Sequence, residues 1–370
     1  MTIMKCGCLV LIIILLSILP LHAYAKNDLY IPQWIKNTAK WWHDGKATDK
    51  KILVAISWLI QAKKIDYHQT DAEDKIPSWV KNIAFFWVSN KISNNEFRNA
   101  IQYLLQSNTI KITDDTISII DARGLNNVKY KGNSSLFDTY AYARDIVNIK
   151  GVQTALEAHF DLRPELDDVY GKIAIWDKPH SAAVIVPLFT STAYWESSFY
   201  TYYRGECDSR CLTKEIQFDK PLRYSASGNA VAVLSILGYD TITDLDVDEN
   251  PDILKHYDKI ILLHNEYVTK KEYDAILHHP KVVYLYANPL YAEVRVNYDN
   301  STITLLRGHG YPEKNITNSF GWKFDNRKAE YDTNCANKSF YKVDNGIMQD
   351  CYPENIIYNN MTLLKIIKDY

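Results

Sequence analysis

Several familiar architectures lack their raw material in this sequence. The 42 basic and 44 acidic residues among 370 leave a formal net charge of −2, so no basic surplus argues for DNA or RNA as a partner. No G-x-S-x-G elbow, no P-loop and no G-x-G-x-x-G occurs, so serine-hydrolase, NTPase and dinucleotide readings have no motif to rest on. Beyond residue 25 no stretch approaches the roughly 18 uncharged apolar residues of a membrane span, and the mature chain is expected to be soluble or peripheral. Cysteine is scarce, with six copies.

What is present begins with a leader. Lys5 precedes the apolar run LVLIIILLSIL, followed by Pro20 and Ala23-Tyr24-Ala25, the pattern of a secretory signal cleaved after Ala25. An uncleaved anchor is the competing reading and the only route to a membrane. Cleavage removes Cys6 and Cys8 and leaves Cys207, Cys211, Cys335 and Cys351. In an oxidising compartment an even set implies two disulfides, and local closure favours Cys207–Cys211 and Cys335–Cys351. Zinc at the Cys207-x-x-x-Cys211 spacing is the alternative. Sequons at Asn133, Asn300, Asn315, Asn337 and Asn360 fit glycosylated surface loops of an exported protein.

The N-terminal part repeats itself. IPQWIKNTAKWW from Ile31 returns 45 residues later as IPSWVKNIAFFW from Ile76, with Trp34 matching Trp79, Trp42 matching Trp87 and Ile56 matching Ile101. Each copy reads as two helices, with Pro32 or Pro77 in the first turn, Gly45 or Asn90 as a left-handed stop, and Ser93-x-x-Glu96 as a capping box. One such hairpin cannot bury its aromatic surface alone, so the copies are expected to stack on each other or on a partner. A glycan or a cell-envelope protein is the partner that exposed tryptophans would suit.

DARGLNNVKYKGNSS (121–135) reads as a linker, and FDTYAYARDIVNI and VQTALEAHFDL after it read as helical. From residue 181 the pattern becomes α/β. AAVIVPLF, TITDLDV, KIILLH and KVVYLYA are apolar strands, with helices between the first pair and the last pair, the latter capped by Thr269. That alternation predicts a doubly wound parallel sheet, whose ligands sit beyond the carboxyl ends of its strands. The candidates there are Thr190 to Glu196, Asp246 and Asp248 as a D-x-D cation pair, His264 to Tyr267, and Asn288 to Glu293. With 27 tyrosines in the chain, phenols beside carboxylates also arise without any site.

HNEYVTKKEYDAI (264–276) followed by VVYLYANPLYAEV (282–294) resembles the glutamine-amidotransferase-like domains of the dimethylformamidase large subunit, where an H-x-E-Y segment follows one strand and an Asn the next. The resemblance runs from His180 to Val296 and rests on His264, Glu266, Tyr267, Thr269 and Asn288, with Val268 where those enzymes usually carry Trp. It implies a mononuclear iron, or another divalent or trivalent metal, held by tyrosines and a glutamate and acting on an amide. Tyr267 is the matching position for one ligand. Glu266, Glu293, Tyr194 and Glu196 are candidates to complete the set, and phenolate with carboxylate suits a hard cation. A true class I amidotransferase needs a cysteine on a tight turn; the turn Tyr286-Ala287-Asn288-Pro289-Leu290 has none, which excludes a glutaminase. The tryptophan repeats separately resemble exported proteins of ammonia-oxidising archaea in which I-P-x-W-x-K-N-x-A-x-W-W hairpins recur.

The expected organisation is a signal (1–25), two helical hairpins (31–112), a linker (121–135), a flavodoxin-like, amidotransferase-like α/β domain (136–319) and a disulfide-stapled cap (320–370). The expected function is a secreted, cell-surface binding or scaffold protein without the nucleophile. An extracytoplasmic metal-dependent amide hydrolase, with His264, Glu266, Tyr267 and Asn288 in catalysis and Tyr267, Glu266 and Glu293 on the metal, is the rival.

Overall fold

A computed structural model describes residue 31 and residues 33–61, 64–67, 73–113, 128–142, 145–149, 151–178, 180–218, 220–335 and 339–370. The expected leader, the first part of the expected linker and the sequon at Asn337 lie outside the described residues.

Helices α1 (Gln33–His43) and α2 (Asp49–Gln61) are followed by α3 (Lys81–Val88) and α4 (Asn94–Gln106). The two pairs are built alike. The Trp42 indole donates to Asp49 Oδ1 and the Trp87 indole to Asn94 Oδ1, each at 2.7 Å. Gly45 and Asn90, at the same offset, both take left-handed backbone (φ 75° and 53°), which reverses the chain between helices. Ser93 and Glu96 form a reciprocal capping box at the start of α4. Ile35, Ala39, Trp42, Ile56 and Trp58 share one core with Ala84, Trp87, Phe97 and Ile101, so the pairs bury their aromatic faces on each other. Trp79 stays half exposed.

Residues expected to be a linker and helices form strands instead. β1 (Val128–Lys131), β2 (Phe137–Tyr142) and β5 (His159–Leu162) make an antiparallel sheet, and β3 (Ile146–Ile149) pairs only with β4 (Val152–Ala155). The deciding signal is period two. In β2, Phe137, Thr139 and Ala141 are buried while Asp138 is exposed, a pattern no helix face reproduces.

The α/β part is mixed. β6 (Ala182–Val186), β8 (Asp240–Thr243), β9 (Lys259–Leu262) and β11 (Val282–Tyr284) run parallel in a six-stranded sheet that also takes in β14 (Phe340–Val343) and β15 (Gly346–Gln349), in the order β14-β15-β11-β9-β6-β8. Strand β6 ends sooner than expected, at Pro187, and the chain turns into α5 (Leu188–Tyr194), followed by α6 (Phe199–Tyr203). From β6 the chain crosses through α7 (Gly228–Ile236) to β8, then returns past β6 to β9 on the other side. The carboxyl ends of β6 and β9 therefore flank the point where connections diverge, where such sheets open a crevice.

The expected strand TITDLDV is only half a strand. Thr243 caps α8 (Asp244–Glu249) through a reciprocal box with Asp246, and Asp248 accepts from the Tyr298 hydroxyl at 2.5 Å. The D-x-D pair is thus helical and engaged, not displayed on a strand face. Thr269 caps α9 (Lys270–His278) by accepting from the Glu272 N–H.

A second sheet, of order β10-β12-β13-β7, is formed by β7 (Thr213–Glu215), β10 (Tyr267–Val268), β12 (Ala292–Asn297) and β13 (Thr302–Arg307). The tail is not a separate cap. β14 (Phe340–Val343) and β15 (Gly346–Gln349) join the main sheet, with β15 parallel to β11. Gly346 makes that pairing possible, because a Cβ there would stand 1.8 Å from the Val282 carbonyl oxygen. Helix α10 (Met361–Asp369) buries Leu363, Leu364 and Ile367 in the core under β6 and α7. Both disulfides, Cys207–Cys211 and Cys335–Cys351, are formed, which removes those cysteines as zinc ligands. No described helix is long and apolar enough to cross a membrane.

Candidate active site

Residues 263–266 carry the chain from β9 in the main sheet to β10 in the second. Side chains pin their backbone. Asn265 Oδ1 accepts from the Leu263 N–H at 3.0 Å, Ser227 Oγ from His264 at 3.1 Å, and Thr190 Oγ1 from Glu266 and Tyr267 at 3.0 and 3.2 Å. Thr190 lies on α5, directly after β6, and Ser227 precedes α7, so the crevice at the strand ends is what fixes this segment. Asn265 turns away from it and donates to the buried Asp244 at 2.5 Å.

Glu266 has no exposed surface. Its Oε1 accepts from Asn288 Nδ2 at 2.8 Å and lies 2.7 Å from His309 Nε2. Its Oε2 stands 3.4 Å from the Tyr200 hydroxyl and 3.9 Å from His264 Nε2. A second carboxylate, Glu330, faces the same imidazole at 3.7 Å and the Tyr194 hydroxyl at 3.4 Å, and Asn288 Nδ2 reaches it at 3.5 Å. His264 Nδ1 lies 2.7 Å from the Ser225 carbonyl, which accepts a proton only, so Nδ1 carries the hydrogen and Nε2 faces the carboxylates. Nε2 and Asn288 Oδ1 are buried with no partner of their own. Ser227, Asn288, Leu290 and His309 all hold left-handed backbone (φ 53–61°), a concentration of strain of the kind that marks functional sites.

The two carboxylates are held apart in acidity. Burial alone would raise Glu266, but the neighbouring His309 and His264 and the hydrogen bonds to it more than offset that and leave it below the ordinary carboxylate range. Burial and then the charge of Glu266 hold Glu330 above it. Environments that push two neighbouring carboxyls apart in this way are the pattern of an acid and a base working side by side. Burial and Glu266 push Tyr194 and Tyr200 well above an ordinary phenol, so both stay protonated unless a cation approaches.

Of the residues expected from sequence, His264, Glu266 and Asn288 converge. Tyr267 is buried beside them, but its hydroxyl meets Tyr203 at 3.3 Å and its ring stacks on His309 and abuts Phe199. Glu293 is paired with Val268 across β10 and β12 while Tyr267 is paired with Ala292, so strand alternation puts Glu293 on the face opposite Tyr267. Glu196 is held at the surface by Arg204 at 2.8 Å and Thr201 at 2.6 Å. Sequence reasoning missed Tyr200, His309 and Glu330. His309 carried a signal in its flanking glycines, Gly308 and Gly310; Glu330 sits in an irregular stretch with none. Among the sequons, Asn133, Asn300 and Asn315 are exposed, whereas Asn360 caps α10 with its amide nitrogen buried.

The donor set suits a hard cation. Glu266 lies 3.4 Å from the Tyr200 hydroxyl and Glu330 3.4 Å from the Tyr194 hydroxyl, with orphaned His264 Nε2 and Asn288 Oδ1 in the same cluster, and oxygen donors of this kind select iron(III) or similar ions. Elsewhere, Asp145, Glu157 and His159 bring three ligand atoms within 4.8 Å of one another.

No curated protein matches the chain. The family model described as N,N-dimethylformamidase beta subunit-like, C-terminal, matches residues 152–340, a span that contains His264, Glu266, Asn288, His309 and Glu330. Because that span covers more than half of the chain, the protein belongs to the N,N-dimethylformamidase beta subunit-like, C-terminal family.

Proposed function

We propose that the protein hydrolyses small amides, of the N-alkylformamide type that the family's name indicates, at the Glu266 cluster. The observation that carries this is the pair of carboxylates with opposed acidities meeting one imidazole in the crevice beyond β6 and β9. Glu266, Tyr194 and Tyr200 would hold a hard cation, which when bound would polarise an amide carbonyl and lower the pKa of water. The rest falls to the chain's own residues. Glu330, at the solvent-facing side with 20% of its side chain exposed, takes the proton of an attacking water and returns it to the leaving amine. His264 Nε2 and Asn288 Oδ1, both free acceptors, orient that water. His309 holds Glu266 in place.

The test is to purify the chain, load it with iron and measure both a phenolate-to-iron absorption band and release of amine from N,N-dimethylformamide. Glu266→Gln is expected to lose both, and Glu330→Gln to keep the band and lose turnover. Turnover unaltered in Glu266→Gln sinks the proposal. For the rest of the molecule we propose an extracytoplasmic location, which the two disulfides favour, and a docking role for the tryptophan hairpins on a glycan or envelope protein, for which half-exposed Trp79 is the support.

A further inference from the structure

The hairpin β3–β4 is anomalous. It pairs with nothing else, and most of β4 is exposed. A lone two-stranded hairpin is marginal in water. Its base, however, is built differently. Asp145, immediately before β3, and Glu157, just after β4, meet His159 at the start of β5, with one ligand atom from each lying within 4.8 Å of the others. His159 has no exposed surface and Asp145 almost none. His159 Nε2 stands 2.9 Å from Asp145 Oδ2, which also accepts from the Tyr142 N–H at 2.9 Å, and the Leu156 N–H donates to the Asp145 carbonyl at 2.6 Å. The rings of Tyr140 and Tyr142 close over the imidazole at 5.6 and 4.8 Å. His159 Nδ1 is buried and has no partner, an unusual cost for a residue that serves only to fill space.

We infer that Asp145, Glu157 and His159 form a second cation site, a divalent clip for a borderline first-row ion such as zinc that ties the base of the β3–β4 hairpin to β5. One imidazole and two carboxylates are a donor set zinc accepts, and with bonds of about 2.1 Å its ligand atoms stand about 3.4 Å apart, while here His159 Nε2 stands 2.9 Å from Asp145 Oδ2 and all three ligand atoms lie within 4.8 Å of one another. The clip has a local consequence. Leu156, Glu157 and Ala158 form one wall of a 260 Å³ cavity whose other walls include Arg223, Tyr224 and Gly228, and the neighbouring Ser225 carbonyl fixes His264. Fastening the hairpin therefore fastens a wall one residue away from the active-site imidazole's anchor.

The experiment titrates zinc chloride into chelator-stripped full-length Glu266→Gln protein by calorimetry, so that the Glu266 cluster does not contribute. One zinc is expected to bind, more than about tenfold more weakly once Glu157→Gln is added, with slower hydrogen exchange over 146–155 on zinc addition only where Glu157 is intact. Glu157 is partly exposed, so its variant tests the site without emptying the core; His159→Gln, which risks the fold, is the second variant. Zinc uptake unaltered by Glu157→Gln, or hairpin exchange indifferent to zinc, overturns the inference and leaves the amide-hydrolase reading untouched.

Discussion

Glu266 and Glu272 lie six residues apart in sequence, and neither has any exposed surface, yet the fold holds them in opposite states. Glu266 meets His309, Asn288 and His264 and is kept an anion. Glu272 meets another carboxyl, Asp244; burial and then the charge of and hydrogen bond with Asp244 push it well above the ordinary range, while burial lifts Asp244 to about 7. Burial is common to both, so partners decide the charge. The first arrangement keeps a charge in a buried setting, which only its polar neighbours make tolerable. The second fixes structure, because Asp244 accepts from the Phe189 N–H at 2.8 Å and from Asn265, the residues at the roots of α5 and of the 263–266 segment.

The comparison breaks most visibly under substitution by the neutral isostere. Glu266→Gln is expected to abolish amide hydrolysis and to lower Tm, since it removes the buried carboxylate that Asn288 Nδ2 and His309 Nε2 meet at 2.8 and 2.7 Å. Glu272→Gln, which imitates the protonated acid already present, should leave kcat within about threefold and keep or raise Tm at pH 8. Loss of activity in both to the same degree would erase the distinction between a reacting and a structural carboxylate.

Glu330 sharpens the same contrast within the site. Its carboxyl must be ionised to accept a proton, and burial and then the charge of Glu266 raise its pKa, so the acid limb of kcat/KM is expected at a higher pH than an ordinary carboxylate gives. Glu330→Gln should lower kcat by about 10²–10⁴ and remove that limb. A limb that persists in the variant belongs to another group.

A third buried acid, Glu354, tests the structural side alone. It accepts from the Asn229 N–H at 2.6 Å and bonds the Tyr286 hydroxyl at 2.5 Å, and burial raises it to about 7. A folded-state value above the unfolded one means that its contribution is complete below about pH 4.5 and is lost as pH rises through about 7. The lost amount is about 3 kcal/mol from a shift of this size. Glu354→Gln keeps both partners and should flatten that decline, read as urea midpoints at pH 5 and pH 8.

How far these places were legible in sequence follows from how local each is. The helix caps at Ser93 and Thr269, the left-handed stops at Gly45 and Asn90, and the disulfides were readable because turn chemistry and short loop closure are properties of a few neighbouring residues. Apolar runs gave β6, β9 and β11, and with them the crevice that holds His264, Glu266 and Asn288. Glu330 and His309 were not readable as site members, because only the return of the chain through β13 and the stretch before β14 brings them to Glu266. The helical reading of 137–149 and 152–162 failed on Tyr140, Tyr142 and His159, whose aromatic bulk suits either period; pairing across the sheet chose strand. The D-x-D reading failed because Thr243 with Asp246 is itself a capping signal, and it won.

The smallest effect concerns the helical pairs, where burial recurs without charge tuning. Trp42 and Trp87 are fully buried and each indole N–H finds one acceptor at the head of the following helix, Asp49 or Asn94, at 2.7 Å. Each bond fixes the crossing of one helix on the next, and removing the acceptor orphans an indole nitrogen in the core, at a cost of about 1 kcal/mol. Asp49→Ala is expected to cost slightly more than Asn94→Ala, because Asp49 also places a negative charge in the first turn of α2. Asn94→Asp should then gain a few tenths of a kcal/mol. Equal urea midpoints for the wild type and both alanine variants would show that the tryptophans are held by packing alone, and that the hairpins, unlike the two glutamates, owe nothing to which polar partner they meet.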